Sequence, residues 1–325
     1  MKFQNIIPNV SIIVPVYNVK KYVEKCLLSL LAQNCGCSYE IIVVDDGSED
    51  GSSAIVDRIA EGSDIIRVFR QPNAGLSAAR NTGLSYARGK YVIFVDSDDY
   101  VEPNYISALY HAAENNDAQI ACCNYRRIND EGTISVGCFL KHRNGVFSSE
   151  LMLGDLLEDI TVRGYVWNKI FLRSLFTDNG IEFPIGMTFE DVPVMPKLFR
   201  RAEKIAVIKD ELYNYVSHKG SITGSIKSAS VEDYVRAYGE IRRFLEEENI
   251  YKDYKHIFKG LGRKTAATIF VMLLRCKFNE PRLDVLKTYG RLSGRLKFYS
   301  GSGFYVLRPD LLNGAKHYVT KSNRI

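Results

Sequence analysis

The stretch YVIFVDSDDY, residues 91–100, runs an apolar segment into three carboxylates within four positions, Asp96, Asp98 and Asp99. Like charges this close raise one another's pKa and oppose folding unless solvent or a cation offsets them. Along an extended chain, residues two apart face the same way. Asp96 and Asp98 are therefore expected to converge on one ion, with Ser97 pointing elsewhere. Hard divalent cations such as Mg2+ or Mn2+ take carboxylate oxygens and fill the rest of their coordination from phosphates and water. The pattern suits a metal–diphosphate site, although an isolated D-S-D recurs by chance and a solvated turn would also carry it.

Two further clusters accompany it. VVDDGSEDGS places Asp45 and Asp46 at the end of another apolar run. Asp, Gly and Ser there suit a capped turn before a helix, or a carboxylate accepting hydrogen bonds from a base or a ribose. QPNAGLSAARNTGL sets Asn73, Gly75, Arg80 and Asn81 on a turn and the opening of a helix. There a guanidinium can meet phosphate or balance the aspartates, and small residues allow close backbone approach. The glycines form neither G-x-G-x-x-G nor a P-loop, which argues against a dehydrogenase or a kinase.

The elements that must position these residues alternate regularly. VSIIVPVYN, YEIIVVDD, DIIRVFRQ, YVIFV and AQIACCNY read as strands. Helices are read between them, at VKKYVEKCLLSLLAQN, SAIVDRIAEG, GLSAARNTGLSYARGK (ending at Gly89) and PNYISALYHAAENN. Apolar strands alternating with helices predict an α/β fold with a mostly parallel sheet covered on both faces. Ligands in such sheets bind beyond the carboxyl ends of the strands. Asn18, the Asp45–Asp46 pair and Asp96–Asp99 all fall there, after three different strands. Further along, hairpin material is expected around NDEGTISVG, short helices at YVWNKIFLRSLF and TFEDVPVMPKLFRRA, and two short strands in KIAVIKDELYNYVSH. Helical periodicity dominates from about Ser228, so residues 1–225 are expected to form the α/β domain and residues 226–325 a helical C-terminal region.

SIIVPVYN, EIIVVDDGSEDGS, NAGLSAARNTGL and YVIFVDSDDYVEP, in this order, closely resemble glycosyltransferase family 2, inverting enzymes with the Rossmann-like GT-A fold. VWNKIFLRSLF, FEDVPVMPKLF and YNYVSHKGSIT resemble later segments of bacterial members that assemble capsular polysaccharide, exopolysaccharide or O-antigen. The resemblance implies a nucleotide-sugar donor, most often linked to uridine diphosphate, and a Mn2+ or Mg2+ cofactor. By position it implies Pro15, Tyr17 and Asn18 in the nucleotide pocket, Asp46 with Asp45 at the base, and Asn73 and Arg80 in the donor loop and helix. Asp96 (with Ser97 beside it) would approach the ribose, and Asp98, Asp96 and His218 the metal. A lone histidine is also commonly structural.

Transfer to a sugar hydroxyl needs a carboxylate to take its proton. The E-D pair Glu190–Asp191 can supply one, and the resemblance implies Asp191 as the base with Glu190 as helper; charge matching at a helix start would use the same residues. Trp167, Asn168 and Lys169 are read as lining an acceptor cleft, with Trp167 as plain core the competing reading. Two other functions fit clustered acids: a nucleotide-sugar-binding protein without turnover, and an aspartate-based phosphotransfer or signalling domain. The latter carries its acids on the first strand, which here ends in PVYN.

The chain has 325 residues and a net charge of +5, with 16 Lys/Arg against 4 Asp/Glu from Tyr251 onward. That basic, aromatic-interleaved region suits peripheral contact with anionic lipid, an oligomer partner, or a solvated helical face; no nucleic-acid role is expected. Seven cysteines, an odd number with Cys35 and Cys37 too close for an easy bridge, point to a reduced compartment. With no secretory leader and no long apolar run, a cytoplasmic location is expected, at the inner face of the membrane if the basic region docks there. The acceptor is expected to be a glycan or a lipid-linked oligosaccharide.

Overall fold

Ten strands form one mixed sheet in the order β3-β2-β1-β4-β9-β6-β10-β5, with β7 paired to β6 and β8 to β10. The computed structural model describes residues 7–129, 134–138, 143–158, 162–218, 226–280 and 283–300. The chain divides into two compact units, Met1–His218 and Lys219–Ile325.

The first strands are β1 (Val10–Val16), β2 (Tyr39–Asp45), β3 (Ile66–Arg70) and β4 (Tyr91–Phe94). They pair in parallel, and β1 is buried along its whole length, as an apolar run covered on both faces must be. Crossovers run through α1 (Val23–Leu31), α2 (Ser52–Glu61) and α3 (Leu76–Tyr86). Helix α3 lies so close to β1 that a Cβ on Gly83 would stand 2.3 Å from Ile13 Cγ2. Glycine is what lets helix and strand approach so closely. Because Val16 pairs with Asp45 and Ile13 with Phe94, the carboxyl ends of β1, β2 and β4 open on one rim.

Beyond β4 the sheet turns mixed. β5 (Tyr100–Val101) is followed by α4 (Tyr105–Glu114), β6 (Ile120–Asn129), β7 (Ile134–Cys138), β8 (Gly145–Ser148) and α5 (Ser149–Glu158). Next come β9 (Lys169–Leu172), α6 (Ser174–Thr177), α7 (Met195–Arg201) and β10 (Lys204–Ser217). β9 runs antiparallel between β4 and β6. So the parallel expectation describes β3-β2-β1-β4 and the β6–β10 pair, while five pairings are antiparallel.

Four local readings are corrected. Lys169–Leu172 is a buried strand, not part of a helix, because the gap between β4 and β6 takes an extended apolar segment. The region read as two short strands is one strand, β10, bulged between Val207 and Tyr213 where charged residues interrupt the apolar run. α3 stops at Tyr86 instead of Gly89. Cys35 and Cys37 are joined as a disulfide, their Cα atoms 5.2 Å apart and within bridging range. Cys26, Cys122, Cys123 and Cys276 are free and buried.

The second unit holds α8 (Ser228–Glu247), α9 (Tyr251–Asn279) and α10 (Val285–Ser300). Their buried faces include Val235, Tyr238, Ile241, Phe258, Ile269, Leu273 and Leu292. Among the described residues no helix is long and apolar enough to cross a membrane.

Candidate active site

The acid cluster after β4 is a turn, not a strand continuation: the Asp99 amide donates to the Asp96 carbonyl at 3.1 Å. The two-residue alternation holds only in extended chain and does not apply across this turn. Burial and the neighbouring charge of Asp98 nonetheless raise the Asp96 carboxyl against the pull of Arg80. Asp96 accepts from Arg80 Nη2 at 2.7 Å, whereas Asp98 Oδ2 meets His218 Nε2 at 2.9 Å. Ser97 is buried beside them.

Asp99, which sequence reasoning left unassigned, locks this turn to β10. It accepts from the Tyr213 hydroxyl and the Val216 amide, each at 2.7 Å. The Tyr213 hydroxyl also accepts from the Asp96 amide at 3.2 Å. Burial, then the neighbouring charges of Asp98 and Asp96, holds the Asp99 carboxyl well above the usual carboxylate range.

Arg80 is the hub of the rim. Only 2 % exposed, it pairs with Asp96 on one side and Glu190 on the other, while its Nε finds no partner. Burial favours the neutral guanidine, but Asp96, Glu190 and Asp191 outweigh that and hold Arg80 more firmly protonated than usual. Removing Arg80 would leave Asp96 and Glu190 as neighbouring carboxylates without their shared cation, the costly way to break such a pair.

Glu190 and Asp191 stand in the turn leading into α7, where the Asp191 carbonyl accepts the Val194 and Met195 amides at 3.0 Å each. Burial, then the adjacent Glu190, pushes the Asp191 carboxyl up to about 7; the cations Arg80 and Lys169 pull the other way. A carboxylate poised near neutrality is suited to general-base work.

The remaining expected residues divide. Tyr17 and Asn18 are exposed beyond β1, and Asn18 adopts a positive φ of 51°. Its side chain accepts from the Glu49 amide at 2.9 Å, tying the first loop to the second. Pro15 is buried within β1, level with Val44. Asp45 accepts from the Ser48 amide at 3.0 Å and Ser53 Oγ at 2.5 Å, the capped-turn role. Asp46 accepts from Gln71 Nε2 at 2.7 Å and the amides of Ala74 and Gly75 at 2.9 and 2.8 Å. With three donors on a buried carboxylate, Asp46 shapes the exposed Asn73–Gly75 loop.

The acceptor-cleft reading of residues 167–169 is corrected by burial. Asn168 and Lys169 have no exposed surface, and Trp167 is 5 % exposed. Lys169 Nζ donates to the carbonyls of Arg163 and Tyr165 at 3.0 and 2.6 Å and to Asn168 Oδ1 at 2.7 Å, satisfying all three of its donors. Asn168 in turn donates to the Cys123 carbonyl at 2.7 Å. Trp167 stacks between Tyr165 and Tyr213, ring centroids 4.8 and 4.4 Å away. It backs the tyrosine that holds the Asp96–Asp99 turn.

Among the described residues, no group of three or more His, Cys, Asp or Glu gathers as a metal-ligand set. Asp98 and His218 converge, the imidazole stacked on Tyr22 at 4.4 Å. A carboxylate oxygen with one imidazole nitrogen fits Mn2+ or Mg2+ whose other positions come from diphosphate and water. Asp96, committed to Arg80, is not part of that pair.

This sheet and rim define the GT-A class of α/β proteins. Its fold matches that of S. aureus TarS residues 1–349, solved with UDP-GlcNAc, at a TM-score of 0.60 and 20% identity over 92% of this chain and 93% of that one. Residues 11–155 match the model of "Glycosyl transferase family 2". Glycosyltransferase GlyG of Streptococcus pneumoniae is 34% identical over 66% of this chain and 72% of its own length. Glycosyltransferase GlyA of the same species is 37% identical over 66% of this chain, but the match spans only 31% of GlyA. The chain belongs to glycosyltransferase family 2.

Proposed function

We propose that the protein transfers a sugar from a nucleotide diphosphate sugar, with UDP the favoured carrier, to a hydroxyl of a glycan or lipid-linked acceptor in polysaccharide assembly, inverting the anomeric carbon. The observation that carries this is Asp191, a carboxyl raised to about 7 beside the Arg80–Glu190–Asp96 cluster at the strand ends. Asp191 takes the acceptor hydroxyl proton as that oxygen bonds to the anomeric carbon from the face opposite the diphosphate. The bond from that carbon to the diphosphate oxygen breaks with its electron pair, and the nucleoside diphosphate leaves. Asp98 and His218 would hold a divalent cation, whose chemistry when bound is to offset charge growing on the departing phosphate. Tyr17, Asn18 and Asn73 present polar or aromatic surface to the donor along the open rim.

The second unit supports a membrane-side location for this reaction. Lys252, Lys255, Arg263, Lys264 and Arg275 are exposed along α9, and anionic lipid is the complementary surface. The catalytic reading is tested by following nucleotide release from a panel of UDP-sugars with and without Mn2+. Release stimulated by metal in the native protein and lost in Asp98→Ala supports it. Tight UDP binding with no release under any acceptor would return the protein to the non-catalytic reading.

A further inference from the structure

Three successive residues of α3 reach three different parts of the rim. Arg80 pairs with Asp96 after β4 and with Glu190 beside the base. Thr82 donates to Gln71 at 2.6 Å, and Gln71 donates to Asp46 after β2. Between them, Asn81 Nδ2 donates to the Phe183 carbonyl at 2.9 Å, while the Phe183 amide donates back to Asn81 Oδ1 at 2.9 Å. A side-chain amide thus pairs with a backbone peptide in both directions, as a neighbouring strand would.

The segment held this way needs holding. Residues 181–194 contain neither helix nor strand, and Phe189 takes a positive φ of 62°, a conformation that costs a bulky residue free energy. Gly186 and Ile185 in the same stretch are exposed. The Phe183 ring is buried against Phe94, centroids 5.2 Å apart, and the Arg80 guanidinium lies 5.5 Å from its centroid. Helix α3 is itself seated on β1 through Gly83 and cannot drift.

We infer that Asn81 is a positioning residue for the base: by pinning Phe183 while Arg80 holds Glu190, it makes one helix fix both the donor-side carboxylate Asp96 and the placement of Asp191. The inference rests on Asp191 as the base. The clamp alters the chemical step and leaves in place the loops around Asp46 and Gln71, which hydrogen bonds other than those of Asn81 order.

The test uses the full chain carrying Asn81→Ala and, in case that variant folds poorly, Asn81→Asp, which keeps the acceptor but loses the donor. Hydrogen exchange in the peptides covering 183–191 is expected to rise about tenfold, with those covering 71–79 unchanged. Affinity for UDP with Mn2+, measured by calorimetry, stays within about twofold, while kcat for UDP release falls roughly 100-fold at near-constant donor KM. The ascending limb of the pH–rate profile moves to lower pH as the loosened Asp191 gains water. Unchanged exchange at 183–191, or a KM that rises in step with the loss of rate, overturns the clamp. A native protein that binds no UDP overturns the functional reading instead and leaves the exchange result to decide the clamp.

Discussion

The proposed base is a single carboxyl whose usefulness and cost share one origin. Burial and Glu190 hold Asp191 protonated to about pH 7, well above an ordinary aspartate. The rate of transfer is therefore expected to climb with pH up to about 7 and then level. Asp191→Asn should lower kcat roughly 1,000-fold, in the range general-base removal gives, while UDP binding by calorimetry stays. The stability consequence has a definite sign. Below the unfolded pKa both states are protonated and nothing is lost. As pH rises toward 7 the unfolded chain releases the proton first, and the native state loses stability. Asp191→Asn removes that penalty, so above pH 7 the inactive variant should melt a few degrees higher than the native protein. The difference should vanish near pH 4. A melting gain that persists unchanged at pH 4 would place its origin elsewhere.

At the scale of elements, close packing of α3 on β1 decides whether the rim assembles. Gly83→Ala would drive a methyl group into Ile13 and is expected to cost about 1–3 kcal/mol, the range for overpacking. Pairing it with Ile13→Ala should recover part of that loss relative to the summed single changes, measured by denaturant unfolding. On β9, Lys169→Met would leave three acceptors without their donor and is expected to cost roughly 2–4 kcal/mol. The early elements were legible because apolar runs ending in Asp, Gly and Asn announce strand ends, so the rim residues Asn18, Asp45, Asp46 and Asp96 fell where expected. A turn at Asp96–Asp99 is one of the two readings the sequence leaves open, but its anchoring was not legible, since it is held by Tyr213, more than a hundred residues away. Nor was β9: KIFL is extended because of its neighbours β4 and β6, and those lie far off in sequence. Lys169 reads as a cleft residue because an aromatic with polar neighbours, Trp167 to Lys169, suits a sugar ring. Three carbonyl-type acceptors that only the fold assembles make it interior.

At the scale of the whole chain, charge is divided: the 16 Lys/Arg after Tyr251 sit against 4 acids, so the preceding part is net acidic. For the proposed diphosphate donor, an acid-lined rim gains nothing in steering from its own sign and would rely on local cations such as Arg80 and on a bound metal. For the basic helices the proposed use is contact with an anionic surface. Exposed Lys252, Lys255 and Arg263 follow one another along α9, and each basic side chain near an anionic surface contributes about 1 kcal/mol. Reversing all three to glutamate should therefore weaken binding to phosphatidylglycerol vesicles by at least roughly 100-fold, given that three such contacts are lost. Because the attraction is screened, raising salt from about 0.05 to 0.5 M should release the native protein in the same way. Neutral phosphatidylcholine vesicles should capture neither form. Nucleotide release from a soluble acceptor should be the same in both, since the substituted residues lie outside the rim. Equal sedimentation of native and reversed proteins with anionic vesicles would assign the basic face to water or to another copy of the chain, and the acceptor would then have to reach the rim without help from the bilayer surface.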